Sequence, residues 1–352
     1  MVLHVVSYDV SRGAERYARA LVDTLNARGA DRHLLMTIFR GDEESLGADV
    51  ALDVPRGVLR RLGFDPRAVW RMRRVIAERR PRAIVAHGGE PAKYSAVAAR
   101  DVPYAYLIIG SSHPLLSNPV RRMMRDFYIE RAAALVAVSP GLADEVTAET
   151  RRGTPLWVIP NGRDPDVYRP GKGSDGSVPH ALFIGHLEEQ KRPLLFVALM
   201  AAMSQRGVPV SAAIVGGGPL FETVKTESAN LDIDVLGPRD DVPELLSRSD
   251  LLVLTSRPPE GMPGVLIEAG LAGLPVVTTD VPGAREVVVD GVTGDIVGLN
   301  DESALADAVA TLLADPERRK RMGAAARERC VSKFSLTASA AAWESVIEEM
   351  PG

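Results

Sequence analysis

The chain has 352 residues, about twice the length of a typical domain, so two domains are expected, with one large barrel as the alternative. Hydrophobic residues make up 46% and charged residues 25%, with Gly and Pro lacking any repeat, which excludes disordered, collagen-like and low-complexity classes. The single cysteine, Cys330, excludes a disulfide framework or thiolate zinc cluster, and a lone helix thiol reads as packing. Net charge is −4, yet residues 1–170 hold 26 Lys and Arg against 20 Asp and Glu, while residues 171–352 hold 16 against 26. Ten arginines lie from Arg56 to Arg82, and Arg121, Arg122, Arg125 and Arg131 follow in helix-like surroundings. Such a run is ordinarily a solvated face; its functional reading is an anionic acceptor or a membrane surface. No nucleic acid partner is expected, because aromatics are only 5% and do not interleave with the basic residues.

Met1 runs directly into the strand-like Val2–Ser7 without a basic leader, so no secretory signal is expected, and the expected location is cytoplasmic or peripheral at the inner membrane face. Further strands are expected at His33–Phe39, Ala83–Ala86, Tyr104–Ile109, Ala134–Val138 and Leu156–Ile159. Helices fall between them: Ala14–Arg28, then Pro66–Arg79 with Asp65 as its N-cap, and Pro140–Ala148 after Ser139. Near-continuous apolar strands separated by helices specify a doubly wound parallel sheet. Residues 169–179 then break every periodicity with Gly, Ser and Pro, so 170–179 reads as a linker closing a domain over 1–169.

The alternation restarts with strands at His180–Ile184, Ser211–Val215, Ile233–Leu236, Leu251–Leu254 and Val276–Thr278. The apolar stretch Leu194–Met203 is about half of the ~20 residues that a membrane span needs. After Val297 the pattern is helical: Leu305, Val309, Leu312 and Leu313 share one face, and helices follow near Pro316–Cys330 and Leu336–Glu349. A second domain over 180–333 is expected, with 334–352 returning to the first. The fold class is α/β: two Rossmann-like domains facing across a cleft, which binds ligands outside the strand ends.

The most informative stretch is Thr255–Ala272, TSRPPEGMPGVLIEAGLA, where an apolar strand enters a Pro/Gly-rich loop and then a helix beginning near Gly264. Backbone N–H groups at such a start favour an anion. Glu260 in the loop and Glu268 one turn into the helix would bracket a ligand with phosphates at its middle and hydroxyls at both ends. Spacing alone equally allows Glu260 to cap the helix and Glu268 to solvate it.

Glu260-x7-Glu268 within PEGMPGVLIEAGLAGLPVV resembles the signature of the retaining GT-B glycosyltransferases of family 4, the "glycosyl transferases group 1". Gly13-Ala14-Glu15-Arg16 resembles the family's first loop, Ile159-Pro160-Asn161-Gly162 its interdomain crossing, and Gly185…Lys191 and Val215-Gly216-Gly217-Gly218-Pro219 its second-domain blocks. The resemblance covers nearly the whole chain. It implies a metal-independent glycosyltransferase without cofactor, using a nucleotide-diphospho-sugar of UDP or GDP type. The acceptor class stays open among a small natural product, a glycan and an anionic lipid. It further implies that Lys191 neutralises the diphosphate, Glu260 holds the donor sugar and Glu268 the ribose. Gly13, Gly261, Met262, Gly264 and Val265 then line the substrate.

The sequence departs from the family at three places. His186 stands where an arginine is usual, and a histidine carries full charge only at lower pH. Pro263 removes one N–H before the helix. The family's first-domain histidine has two candidates, His113 and His87. Asp164-Pro165-Asp166 and Asp232-Ile233-Asp234 imitate a metal motif of other sugar transferases, but no histidine pair has ligand spacing, and no metal is expected. The rival readings are a nucleotide-sugar-binding protein without transfer activity and a nucleotide-sugar 2-epimerase.

Overall fold

Runs such as His33-Leu-Leu-Met-Thr-Ile-Phe39, apolar at nearly every position, form strands that are buried along their whole length. That burial requires helices on both faces, so the strands pair in parallel through helical crossovers. The computed structural model describes residues 1–8, 13–41, 45, 47–55, 63–110, 118–149, 153–174, 178–258, 260 and 262–350. The chain divides into two units, residues 1–162 with 336–352, and residues 163–335.

The first unit holds a seven-stranded sheet in the order β3-β2-β1-β4-β5-β6-β7. Its strands are β1 Val2–Tyr8, β2 His33–Phe39, β3 Val50–Val54, β4 Ala83–His87, β5 Tyr104–Ile108, β6 Ala134–Ala137 and β7 Leu156–Val158. The expected strands all form. β3 escaped the sequence reading because it is a short edge strand with alternating exposure, and Asp53 within it has φ of 47°.

Helices α1 Gly13–Arg28, α2 Pro66–Arg79, α3 Gly89–Ala98, α4 Pro119–Arg131 and α5 Pro140–Glu149 belong to this unit. Asp65 caps α2 by accepting the Arg67 N–H at 2.9 Å, and Pro66 fills the first turn, as expected. Asn118 caps α4 in the same manner.

The second unit holds a six-stranded parallel sheet ordered β10-β9-β8-β11-β12-β13. These are β8 His180–Ile184, β9 Ser211–Val215, β10 Ile233–Gly237, β11 Leu251–Leu254, β12 Val276–Thr279 and β13 Gly294–Val297. β13 was not expected, since its four residues begin with a glycine. A Cβ on Gly294 would crowd Val276 on the neighbouring strand, so only glycine lets the two backbones meet there. The helices are α6 Pro193–Gln205, α7 Phe221–Glu227, α8 Val242–Ser247, α9 Gly264–Leu271, α10 Ala284–Val287, α11 Glu302–Ala314 and α12 Pro316–Phe334. Leu305, Val309, Leu312 and Leu313 of α11 are buried together in the core. Cys330 is buried, and burial pushes its thiol up to about 12, consistent with a packing role.

The last helix, α13 Leu336–Glu349, packs on α1 of the first unit. Trp343 is fully buried there and donates its Nε1–H to the Tyr17 hydroxyl at 3.1 Å, which lies 2.6 Å from the Ser339 hydroxyl.

Residues 169–179, expected to separate the domains, begin inside the second unit, whose first residue is Arg163. Gly173 donates its N–H to the Ser247 carbonyl, and a Cβ on Gly171 would overlap the Ser247 backbone. At Gly171 and Gly173 glycine is there because the chain lies close to Ser247 and Asp250. No described helix is long and apolar enough to cross a membrane.

Candidate active site

In the second sheet β8 pairs with β9 on one side and β11 on the other, so the strand order reverses between β8 and β11. A crevice opens outside the carboxyl ends of strands at such a reversal. The loops leaving these strands carry the residues singled out above.

After β8 the chain passes Gly185 and His186 to Lys191, and after β11 it passes Thr255 to Glu260 before entering α9. The two loops are stitched together. The Thr255 hydroxyl lies 2.9 Å from the carbonyls of both Lys191 and Arg192, and the Arg257 N–H donates to the Gln190 carbonyl at 2.9 Å. The loop after β9 locks on from the other side. Leu187 donates its N–H to the Gly217 carbonyl at 2.8 Å. Gly216 and Gly218 have φ of 138° and 151°, and a Cβ on either would overlap the backbone of Gly185 or Leu187. The triple glycine is therefore required by close approach of two loops.

This stitching brings the Lys191 ammonium into an ion pair with Glu260, whose side chains are 19% and 11% exposed. A second pair sits at the start of α9. Arg163 donates from Nε to Glu268 Oε1 at 2.8 Å, and the side chains are 18% and 16% exposed. The Arg163 guanidinium lies so close to Gly264 that a Cβ there would come within 2.6 Å of Nη2. Among the described residues α9, which starts after Pro263, has no side-chain cap, and its first turn holds no acidic residue. Its start therefore combines unbonded N–H groups with an adjacent guanidinium, a setting that favours an anion.

The other sequence candidates are distributed as follows. Met262 and Val265 are half-buried and pack against the apolar cluster behind α9. His186 is exposed at the carboxyl end of β8, on the loop that carries Lys191. Gly261 and His113 lie outside the described residues. Gly13 opens α1 in the first unit and is exposed, and a Cβ there would meet nothing within 4 Å. Asp164 accepts the Asp166 N–H at 2.8 Å, so the Asp164-Pro165-Asp166 motif forms a local turn.

His87 ends β4, at the corresponding reversal of the first sheet, where β1 lies between β2 and β4. It is buried, and its Nε2 lies 3.0 Å from His4 Nδ1, while His4 Nε2 lies 3.0 Å from His33 Nδ1. Three histidines thus cross the face of the sheet beneath α1 and α13. Burial pushes His87 down to about 3 and depresses His4 and His33 as well, so the row is neutral near pH 7. His87 Nδ1 is buried and has no hydrogen-bond partner among the described residues.

Two family models between them match most of the chain: "Glycosyl transferases group 1" over residues 165–329 and "Glycosyltransferase Family 4" over residues 11–167. The chain belongs to glycosyltransferase family 4. Among the curated relatives of this family 4 chain, N-acetyl-alpha-D-glucosaminyl L-malate synthase of Bacillus anthracis is 30% identical over 251 residues, 68% of this chain and 64% of the relative. Alpha-maltose-1-phosphate synthase of Mycolicibacterium smegmatis is 34% identical over 240 residues, 59% of this chain and 60% of the relative. The match thus spans less than two thirds of either relative. A GDP-mannose-dependent alpha-(1-6)-phosphatidylinositol monomannoside mannosyltransferase of the same organism is 27% identical over 293 residues, 75% of each chain. Anabaena HepE in complex with UDP superposes with a TM-score of 0.83 at 20% identity over 99% of both chains. Sucrose-phosphate synthase from Thermosynechococcus elongatus does so with a TM-score of 0.83 at 19% identity, over 99% of this chain and 98% of that one. The fold of this family 4 chain is GT-B.

Arg163 is the site residue that the sequence reading missed. It follows Asn161-Gly162 but is 105 residues from its partner Glu268, and nothing local separates it from the chain's other arginines.

Proposed function

We propose that the protein transfers a sugar from a nucleotide-diphospho-sugar of UDP or GDP type to an acceptor hydroxyl, with retention of configuration and without a metal ion. The observation that carries this reading is the set of two ion pairs, Lys191–Glu260 and Arg163–Glu268, around an uncapped helix start at a sheet reversal. Each carboxylate keeps a cation in place until a ligand arrives. The donor diphosphate then takes over Lys191, and Glu260 is released to accept hydrogen bonds from sugar hydroxyls. The N–H groups of Gly264 and Val265 complete the anion site, and Glu268 accepts from the ribose.

As the bond between the anomeric carbon and the phosphate oxygen breaks, negative charge collects on the departing diphosphate. Lys191 and the helix start stabilise that charge more strongly than they stabilise the intact donor. The acceptor oxygen bonds to the same face of the anomeric carbon, and its proton passes to the leaving phosphate oxygen, so no separate base is needed. GDP-mannose in one relative's name and UDP in the complex of a structural neighbour support the donor class. The basic excess of residues 1–170 supports an anionic acceptor.

The test incubates the purified protein with labelled UDP- and GDP-sugars, with and without anionic acceptors, alongside melting curves with UDP, GDP, ADP and TDP. UDP or GDP is expected to raise the melting temperature, and label is expected to move only when acceptor is present. Nucleotide release with an epimerised sugar and no acceptor would instead identify a 2-epimerase. Stabilisation without turnover would identify a binding protein.

A further inference from the structure

In the first unit α2, α3 and α4 pack side by side on one face of the seven-stranded sheet, through Ala68 and Met72, Ala92 and Tyr94, and Tyr128 and Ile129. The outer side of this layer is not the polar surface that such helices usually present. On α4, Val120, Met123 and Phe127 are 59%, 66% and 46% exposed. They stand at i, i+3 and i+7, which is one line along a helix. Trp70 on α2 is 63% exposed in the same layer. Single exposed apolar residues are ordinary, whereas an aligned row with a tryptophan on a sister helix marks a surface that meets something apolar.

The same layer is strongly basic. α2, α3 and α4 together hold ten Lys and Arg against four Asp and Glu, whereas α1 and α13, which pack on each other under a different apolar cluster, hold three against five. Arg121 and Arg122 flank the apolar row at its start, and the Arg131 guanidinium lies 5.8 Å from the Phe127 ring centre at its end. Among the described residues Arg73 and Arg131 donate to main-chain carbonyls of α3, so both charges stay in this layer without a carboxylate partner.

We infer that this face of the first unit docks on a lipid bilayer containing anionic headgroups, with Val120, Met123, Phe127 and Trp70 entering the interface and the surrounding arginines meeting phosphates. An amphipathic helix lies in the interfacial plane by this combination of an apolar stripe, basic flanks and an interfacial tryptophan. Nucleic acid would use the charge but leave Val120 and Met123 without a role, since neither stacks on a base. A second copy meeting the stripe face to face would set Arg121 and Arg122 against their own equivalents.

The experiment is co-sedimentation of the full chain with vesicles of pure phosphatidylcholine or of phosphatidylcholine with about 30% phosphatidylglycerol, in about 0.1 M salt, where exposed charges still act over ~10 Å. Binding to the anionic vesicles is expected to be at least about tenfold tighter than to the neutral ones. A Val120→Ser/Met123→Ser/Phe127→Ser variant is expected to lose about tenfold or more of that binding with an unchanged melting curve, and Arg121→Gln/Arg122→Gln to lose several-fold on anionic vesicles only. Tryptophan emission is expected to shift to the blue on anionic vesicles, and Trp70→Phe to abolish the shift. Absence of binding to anionic vesicles overturns the proposal. So does a folded triple-serine variant that binds as well as the parent, or a labelled single-stranded oligonucleotide whose binding falls with the same three substitutions. Sugar transfer is not read in any arm, so failure here leaves the proposed activity standing.

Discussion

The two sheets reverse strand order at matching places, between β1 and β4 and between β8 and β11, but they treat polar side chains there in opposite ways. At the second reversal, two cations and two carboxylates sit in pairs and remain 11% to 19% exposed. At the first, His87 is shut away from water, bonded to His4 and held neutral. A wet ion pair can exchange one partner for a ligand at modest cost, because water shares the charge throughout. A dry neutral group has no such freedom, since charging it without a partner is costly. The contrast favours ligand chemistry at the second unit's reversal and a structural role for the first unit's histidines.

The sharpest way to break this comparison is to remove one polar group from each reversal. Glu260→Ala is expected to lower kcat for transfer by about 100- to 1000-fold, the range seen when a group stabilising the transition state is removed. His87→Gln is expected to leave kcat within about threefold of the parent. Comparable losses in both variants would make the first reversal catalytic as well.

Backbone packing gives the next effect. Gly216→Ala places a Cβ on the Gly185 carbonyl at a φ of 138° and should cost about 3 kcal/mol or more in unfolding experiments. Gly13→Ala, where a Cβ meets nothing within 4 Å, should change stability by less than about 0.5 kcal/mol. A Gly216→Ala protein as stable as the parent would show that the loops after β8 and β9 are not held together as described.

Acid should then separate the units. His87 lies at about 3 when folded against 6.5 when exposed, so the unfolded chain takes up the proton first as pH falls below 6.5. Stability contributed by the neutral histidine is therefore complete above that range and is lost as pH drops, by about 2 kcal/mol at pH 5 for His87 alone. His4 and His33 shift in the same direction and add to the loss. Melting of the first unit is expected to fall between pH 7 and pH 5, and His87→Gln to flatten the decline. A parent protein whose melting does not respond to pH in that window would contradict a buried neutral row.

The smallest effect concerns the second ion pair. Arg163→Ala and Glu268→Ala are each expected to weaken nucleotide binding about tenfold, and the double variant to be little worse than either, because each side chain holds the other in its binding position. Fully multiplicative losses by calorimetry would show that the two side chains act separately.

Much of this architecture is written locally. Strands such as His33–Phe39, Ser211–Val215 and Leu251–Leu254 are legible because burial on both faces demands unbroken apolar residues. Helices with Asp65-Pro66 or Asp315-Pro316 at their starts are legible because capping uses near neighbours. β3 and β13 were not, since an edge strand with alternating exposure and a four-residue strand opened by glycine lack that signature. The Gly/Ser/Pro stretch 169–179 shows where periodicity stops, whereas the two units divide by contacts, with Arg163 as the first residue of the second.

The sequence by itself determined two doubly wound units, the family and the candidate residues Lys191, Glu260 and Glu268, because apolar periodicity and short motifs are properties of neighbouring residues. Only the tertiary structure decided that Arg163 partners Glu268, that His4, His33 and His87 join in one row, and that α2, α3 and α4 pool their arginines and exposed apolar residues on one face. Those partnerships span from 29 to 105 residues of chain or depend on which helices share a layer. They arise when chain crossovers bring remote strand ends and helix faces together, a geometry that no local pattern encodes.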